Sequence, residues 1–375
     1  VDAEVLVAPH FSGIGHYTLE LLHALDRQIE DRDDIDVELG VFFKQVGKIR
    51  SYGFNNFKIR RSPFPLRISN ALKIRGLQPP LDLFFGKRLY LFPNYTSWPT
   101  LFSKSVSIVY DLSFEYFPQF VEPNNQKFLS SQVKKSVNRA SKVITISKNS
   151  QKEIVEFYAK SADDVPVIYP GIDQSELFRW PADKAKPVLD SYGVSGKYIL
   201  FVGNIEPRKN LKTLLLAYEK LDKQLRDEYS LLLVGARGWL DEEIIATVER
   251  LKQTGNRVQQ PGTYVKDEDR AALFSGASLF VYPSLYEGFG IPPVEAMACG
   301  VPTISSNNSS LPEAVGDAAV MIDAASIDDL SEAMAKVLSD TSQQKRMVAA
   351  GYKQADSFSW DVEAKKLLDI LENIS

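Results

Sequence analysis

Glu287 and Glu295, with seven residues between them, stand in a run that is otherwise apolar and glycine-rich, SLYEGFGIPPVEAMACGVP from Ser284 to Pro302. A carboxylate accepts paired hydrogen bonds from a vicinal diol, so one acid could read a hexose and the other a ribose. Gly288 and Gly290 flank Phe289, and without a Cβ they let backbone N–H groups approach an anion or a sugar closely. Two other readings use the same acids. They would be a loop charge and a surface helix residue, or the acid and nucleophile of a glycosidase, whose carboxyls stand roughly 5 to 9 Å apart.

A second motif, FVGNIEPRKN, ends a strand at Gly203 and sets Arg208 and Lys209 just before a helix opening near Asn210. Two cations beside a helix N-terminus suit a diphosphate, because backbone N–H groups and the helix dipole add to their charge. Alone, the pair would read as solvated loop residues. It is not a Walker loop, since the glycine spacing is absent. A glycosidase has no need of it. A third motif, FSGIGHY (11–17), is a glycine turn entering a helix, where Gly15 could offer its N–H to the same diphosphate. In the fourth, SIVYDLSF (107–114), Asp111 follows a buried strand. There it would orient an acceptor hydroxyl or steady positive charge at a reacting carbon, or simply cap a turn.

These motifs need strand-to-helix junctions to hold them. In the second half YILFVG (198–203), LLLVG (231–235), LFVYPS (279–284), PTISS (302–306) and VMID (320–323) read as strands. They alternate with amphipathic stretches at 210–221, 241–253, 267–277 and 292–300, the pattern of a doubly wound parallel sheet. The first half repeats the theme with strands at 105–111, 142–147 and 165–170 and a long helix at 17–29. Apolar alternation begins at Val1, so a first strand is expected whose leading residues precede the sequence. The boundary falls near residue 171, giving an acceptor-side domain 1–170 and a donor-binding domain 171–356. The final stretch, 357–375, is one more amphipathic helix that would pack back on the first domain.

Composition bounds the rest. A chain of 375 residues with 44% apolar residues fills two cores rather than one. Its net charge of −4 gives no reason to expect a nucleic-acid partner. One cysteine, Cys299, and three histidines exclude an internal disulfide and leave little for a metal cage, so a reducing, cytoplasmic setting is expected. No apolar run approaches the roughly 18 to 20 residues that span a bilayer. Between Lys44 and Arg88, however, the basic residues face a single acid, Asp82, and are interleaved with Tyr52, Phe54, Phe57, Phe64, Phe84 and Phe85. That mix suits the surface of an anionic membrane or a pyrophosphate-bearing lipid; a plain solvated face is the alternative.

Taken together, EGFGIPPVE continuing into AMACGVP, GNIEPRKN and the N-terminal glycine turn resemble glycosyltransferase family 4, in particular its bacterial mannosyltransferase-like branch. The resemblance runs through most of the chain. It implies an α/β GT-B fold, two doubly wound Rossmann-like domains facing a central cleft. It also implies a retaining, metal-independent hexosyltransferase that uses a nucleotide-sugar and no further cofactor. Family roles would place Arg208 and Lys209 on the donor diphosphate, Glu295 on the ribose, and Glu287 on the transferred sugar with loop contacts from Gly288, Phe289 and Gly290. Gly13 and Gly15 match the glycine turn, and Tyr264 and Val265 the segment bordering the base. Tyr110 stands where family members commonly have histidine, and His16 where arginine is usual; both fall on the acceptor side. The implied reaction moves a hexose, best matched by mannose from GDP-mannose, onto a lipid-linked or oligosaccharide acceptor in O-antigen-like synthesis. A UDP-sugar transferase or an epimerase of the same fold, and a non-catalytic carbohydrate-binding module, are the alternatives.

Overall fold

The computed structural model describes residues 1–7, 13–41, 45–62, 72, 77–238, 240–261 and 265–374. The chain divides into two compact units, Val1–Gly171 with Ser359–Ser375, and Ile172–Phe358. No helix among the described residues is long and apolar enough to cross a membrane.

In the first unit β1 (Glu38–Val41) pairs in parallel with β2 (Lys58–Arg61), while β3 (Tyr90–Phe92), β4 (Ser105–Ile108) and β5 (Lys142–Ile144) form a second parallel set. The segment Val1–Ala3 joins them. Asp2 bridges Gly40 on one side and donates its N–H to the Leu91 carbonyl (2.9 Å) on the other. With this segment counted as the first strand, the order β2, β1, segment, β3, β4, β5 reads 3-2-1-4-5-6 in chain sequence. The regular first strand expected from the opening alternation is thus one bridge residue, because Glu4–Val7 tighten at once into a 3-10 turn. Likewise 165–170 contributes only Val167, bridged to Thr145. The last helix, Trp360–Ile374, lies in this unit. The Trp360 ring meets Tyr17 at 5.3 Å, and Glu363 accepts the Tyr169 N–H at 3.0 Å.

The second unit holds six parallel strands: β6 (Lys197–Val202), β7 (Tyr229–Val234), β8 (Val258–Gln259), β9 (Leu279–Tyr282), β10 (Thr303–Ser306) and β11 (Val320–Ile322). Every residue of β7 and β9 is buried, as a sheet covered on both faces requires. The helix Leu211–Lys220 covers it with Leu211, Leu214, Leu215 and Tyr218, spaced at helical intervals. The spatial order β8-β7-β6-β9-β10-β11 is again 3-2-1-4-5-6, so the winding reverses between β6 and β9. Ligands of open α/β sheets bind outside the strand ends at such a reversal. There the backbones crowd: Gly203 (φ +153) and Gly235 (φ +157) follow β6 and β7, and a Cβ on Gly235 would lie 1.8 Å from the Gly203 carbonyl oxygen.

Candidate functional site

The loop after β6 reaches the reversal point through fixed contacts. Pro207–Lys209 make one 3-10 turn, and Asn210 takes a left-handed conformation (φ 56) before the helix Leu211–Lys220. Its side-chain amide donates to the carbonyls of Pro283 (3.0 Å) and Ala324 (2.7 Å), tying the loop to the ends of β9 and β11. The Arg208 carbonyl accepts from the Leu285 N–H at 2.9 Å. Asn210 is well suited to this place, because its short polar side chain tolerates the left-handed region.

The loop after β9 is held just as firmly. Glu287 donates its N–H to Ser309 Oγ (3.0 Å), and Ser310 Oγ donates to the carbonyls of Glu287 (2.8 Å) and Phe289 (2.9 Å). Gly290 (φ +111) turns the chain into the helix Ile291–Ala298, and a Cβ there would meet Leu311 Cδ2 at 2.6 Å. Phe289 is buried and packs edge-on against Phe358, so its ring builds the loop from within, and Gly288 and Gly290 on either side of it are buried too.

These two loops bring together residues 78 and 79 positions apart. Glu287 Oε1 accepts from Lys209 Nζ at 2.6 Å and its Oε2 from Arg208 Nη1 at 3.0 Å. Arg208 also donates to the Tyr286 carbonyl (2.9 Å) and to Glu206 Oε1 (2.9 Å); Lys209 donates to the Tyr282 hydroxyl (2.8 Å). Lys209 is 8% and Glu287 7% exposed. Burial pushes the Glu287 carboxyl upward, but Arg208 and Lys209 outweigh it and hold the group at about 2. Burial lowers the Lys209 ammonium, against the pull of Glu287 and with the help of Arg208. The cation pair expected from the sequence is therefore neutralised by two carboxylates of the chain itself. Glu206 and Tyr282 were not singled out by sequence reasoning, although both lie inside the quoted motifs.

Glu295 stands on the helix Ile291–Ala298, 3% exposed, with its Oε2 paired to Arg270 Nη2. Burial raises its pKa, while Arg270 draws it back. Val265 packs partly against the core; Tyr264, also expected at the base, lies outside the described residues.

In the first unit Gly13 opens the helix Gly13–Gln28, Gly15 is buried in its first turn, and His16 is half-buried beside it. Asp111 Oδ1 accepts from Ser113 N–H (3.0 Å), Ser113 Oγ (2.8 Å) and the Tyr95 hydroxyl (3.0 Å), so the capping reading is realised on one oxygen. Tyr110 is buried and donates to the Pro93 carbonyl at 2.7 Å. That bond commits its hydroxyl to the unit's interior.

The basic stretch is less exposed in charge than its composition implied. Glu38, from outside the stretch, pairs with both Arg60 and Arg88, and Asp36 pairs with Lys58 at 2.8 Å. Its one acid, Asp82, is buried and accepts the N–H groups of Leu101, Phe102 and Ser103. That clamp leaves Leu101 59% and Phe102 67% exposed beside Leu83 and Phe84. Lys44, Phe64, Arg67, Lys73 and Arg75 of the stretch, and Phe11 and Ser12 of the glycine turn, lie outside the described residues. Among the described residues no group of three His, Cys, Asp or Glu is placed to hold a metal ion.

Residues 193–354 match the family described as Glycosyl transferases group 1. The chain is 34% identical to the O-antigen chain mannosyltransferase B of Escherichia coli, across 95% of this chain and 96% of that protein. It is 27% identical to the O-antigen chain mannosyltransferase RfbU of Salmonella typhimurium, across 79% and 78% of the two chains. Among solved structures, Anabaena HepE in complex with UDP and glucose superposes with a TM-score of 0.73 at 17% identity, covering 98% of this chain and 97% of that one.

Proposed function

Because the chain belongs to the glycosyl transferases of group 1, we propose that this glycosyltransferase moves mannose from GDP-mannose onto a lipid-linked or oligosaccharide acceptor in O-antigen-type synthesis. The observation that carries the donor reading is the buried Arg208–Lys209–Glu287 cluster at the strand reversal. The names of the relatives in Escherichia coli and Salmonella typhimurium support mannose as the sugar and O-antigen as the product.

In this proposal the donor diphosphate takes over part of the bonding that Arg208 and Lys209 give to Glu287. As the bond from the sugar to the diphosphate breaks, negative charge grows on the departing phosphate, where two prepositioned cations stabilise it. Glu287, ionised well below neutral pH, accepts from hydroxyls of the transferred sugar, and Glu295 from the ribose. The acceptor hydroxyl attacks the face from which the diphosphate leaves, passing its proton to a phosphate oxygen, so configuration is retained. We assign acceptor contact to Asp111 through Oδ2, which no described residue engages. No metal enters the scheme.

A thermal-shift series over GDP-, UDP- and ADP-sugars, followed by product analysis, tests the donor. GDP-mannose at about 100 times its Kd should add about 2.7 kcal/mol and raise the melting temperature by about 5 °C. Stabilisation by a UDP-sugar with none by GDP-mannose would overturn the assignment.

We further propose contact with an anionic membrane surface. Within residues 77–104 the sequence holds no acid other than buried Asp82; Glu38 pairs with Arg88, Lys87 and Lys104 are the further cations, and the clamp holds Leu101 and Phe102 outward. Such apolar tips flanked by cations suit the headgroup boundary. The protein should float with vesicles containing anionic lipid and not with neutral ones, and Leu101→Ser with Phe102→Ser should abolish flotation. Equal failure of the unaltered protein on both vesicles would sink the proposal.

A further inference from the structure

Arg270 begins the helix Arg270–Gly276, 25 positions before the acid it meets, and nothing in its local sequence marks it. Among the described residues its guanidinium engages only Glu295 Oε2, and Oε1 takes no bond from any of them. Glu295 is 3% exposed and the Arg270 side chain 25%, so the carboxylate is sunk behind a partner that itself reaches the surface. A carboxylate with one oxygen clamped and the other open has the geometry needed to accept from a pair of adjacent hydroxyls. A lone carboxylate this deeply buried would instead take up a proton and lose half of its accepting capacity.

We infer that Arg270 is the positioning residue of the ribose contact, fixing the rotation of Glu295 and keeping it ionised so that Oε1 is presented to the nucleoside hydroxyls. This rests on the reading of Glu295 as the ribose contact. Arg270 acts only through Glu295, and it therefore tunes affinity for ribose-bearing ligands without a share in the affinity for the base or the diphosphate. Lysine in its place would keep the charge but not the planar fork, so it would restore the contact in part.

Calorimetry with GDP and UDP and with their 2′,3′-dideoxy counterparts tests this, on the full chain and on Arg270→Ala, Arg270→Lys, Glu295→Gln and the Arg270→Ala/Glu295→Gln double variant. The unaltered protein should prefer whichever ribonucleotide it binds over its dideoxy form by about tenfold, the worth of a hydrogen bond to a charged group. Arg270→Ala should lose that preference by weakening ribonucleotide binding alone, and Arg270→Lys should recover part of it. In the Glu295→Gln background, removing Arg270 should change nothing further, as a single shared contact demands. If Arg270→Ala keeps the full preference, the role given to Arg270 is wrong while the Glu295 reading stands. If the unaltered protein shows no preference, the Glu295 reading fails and the inference falls with it. Equal weakening of ribo and dideoxy ligands would mark Arg270 as a general support of the fold and would also overturn the inference.

Discussion

Lys209→Ala is expected to lower kcat for sugar transfer about a thousandfold, the upper end of what removal of one preorganised charge-stabilising donor costs. The ammonium is buried, 2.6 Å from Glu287 and 2.8 Å from the Tyr282 hydroxyl, so its charge is held at a fixed place away from bulk solvent. Arg208 remains bonded to Glu287 in the variant, which leaves the buried carboxylate with a partner and the unit folded. Lys209→Arg should be a poor substitute, since a planar guanidinium is bulkier than the buried ammonium it would replace between Tyr282 and Glu287. Transfer rates at saturating donor, measured beside the melting temperature, separate the two roles. A variant that melts like the parent and retains more than a tenth of its turnover would remove Lys209 from the leaving-group site.

The second large effect belongs to a residue with no polar side chain. Gly235→Ala should destabilise the protein by about 3–5 kcal/mol and lower its melting temperature by about 10 °C, because the new methyl group would overlap the Gly203 carbonyl oxygen. Backbone cannot move aside as a side-chain tip can, and displacing Gly203 would carry the Arg208 loop with it. Gly255→Ala is the control. It also has a left-handed backbone (φ +82), but no atom lies within 4 Å of the added carbon, and its cost should stay near about 1 kcal/mol. Equal losses in the two variants would mean that backbone conformation alone, and not the close approach of the strand ends, makes Gly235 necessary.

How far the sequence could be read follows from which contacts are local. β6, β7 and β9 are continuous apolar runs buried on both faces, and the helices between them carry their apolar residues at helical spacing, so the α/β class and the second sheet were legible. β1 and β2 were not. KIRR in β2 is charged and mostly outward, and it forms a strand because the backbone of Glu38–Val41 lies beside it. The consecutive helices Ile327–Ser339 and Thr341–Asp356 were passed over, although Ser326 and Asp340 cap them by accepting the N–H groups of Asp329 and Gln343. In the site, the motif glutamates and the cation pair stood out by type and spacing, but their pairing did not. Glu206 on Arg208, Glu287 across both cations and Arg270 on Glu295 are decided by where distant loops end. Asn210, which fixes the loop through Pro283 and Ala324, left only its ordinary place before a helix as a signal.

Glu206 and Glu287 balance the charge of Arg208 and Lys209, so these four side chains together carry no net charge to draw simple anions. Inorganic phosphate or sulfate would have to break those ion pairs and brings no sugar hydroxyls to re-engage Glu287. A ligand that brings a diphosphate together with sugar hydroxyls re-engages the displaced carboxylate as it captures the cations. Under the proposed donor contacts, the same four side chains would favour a molecule that carries both chemical groups at once over a small competing anion.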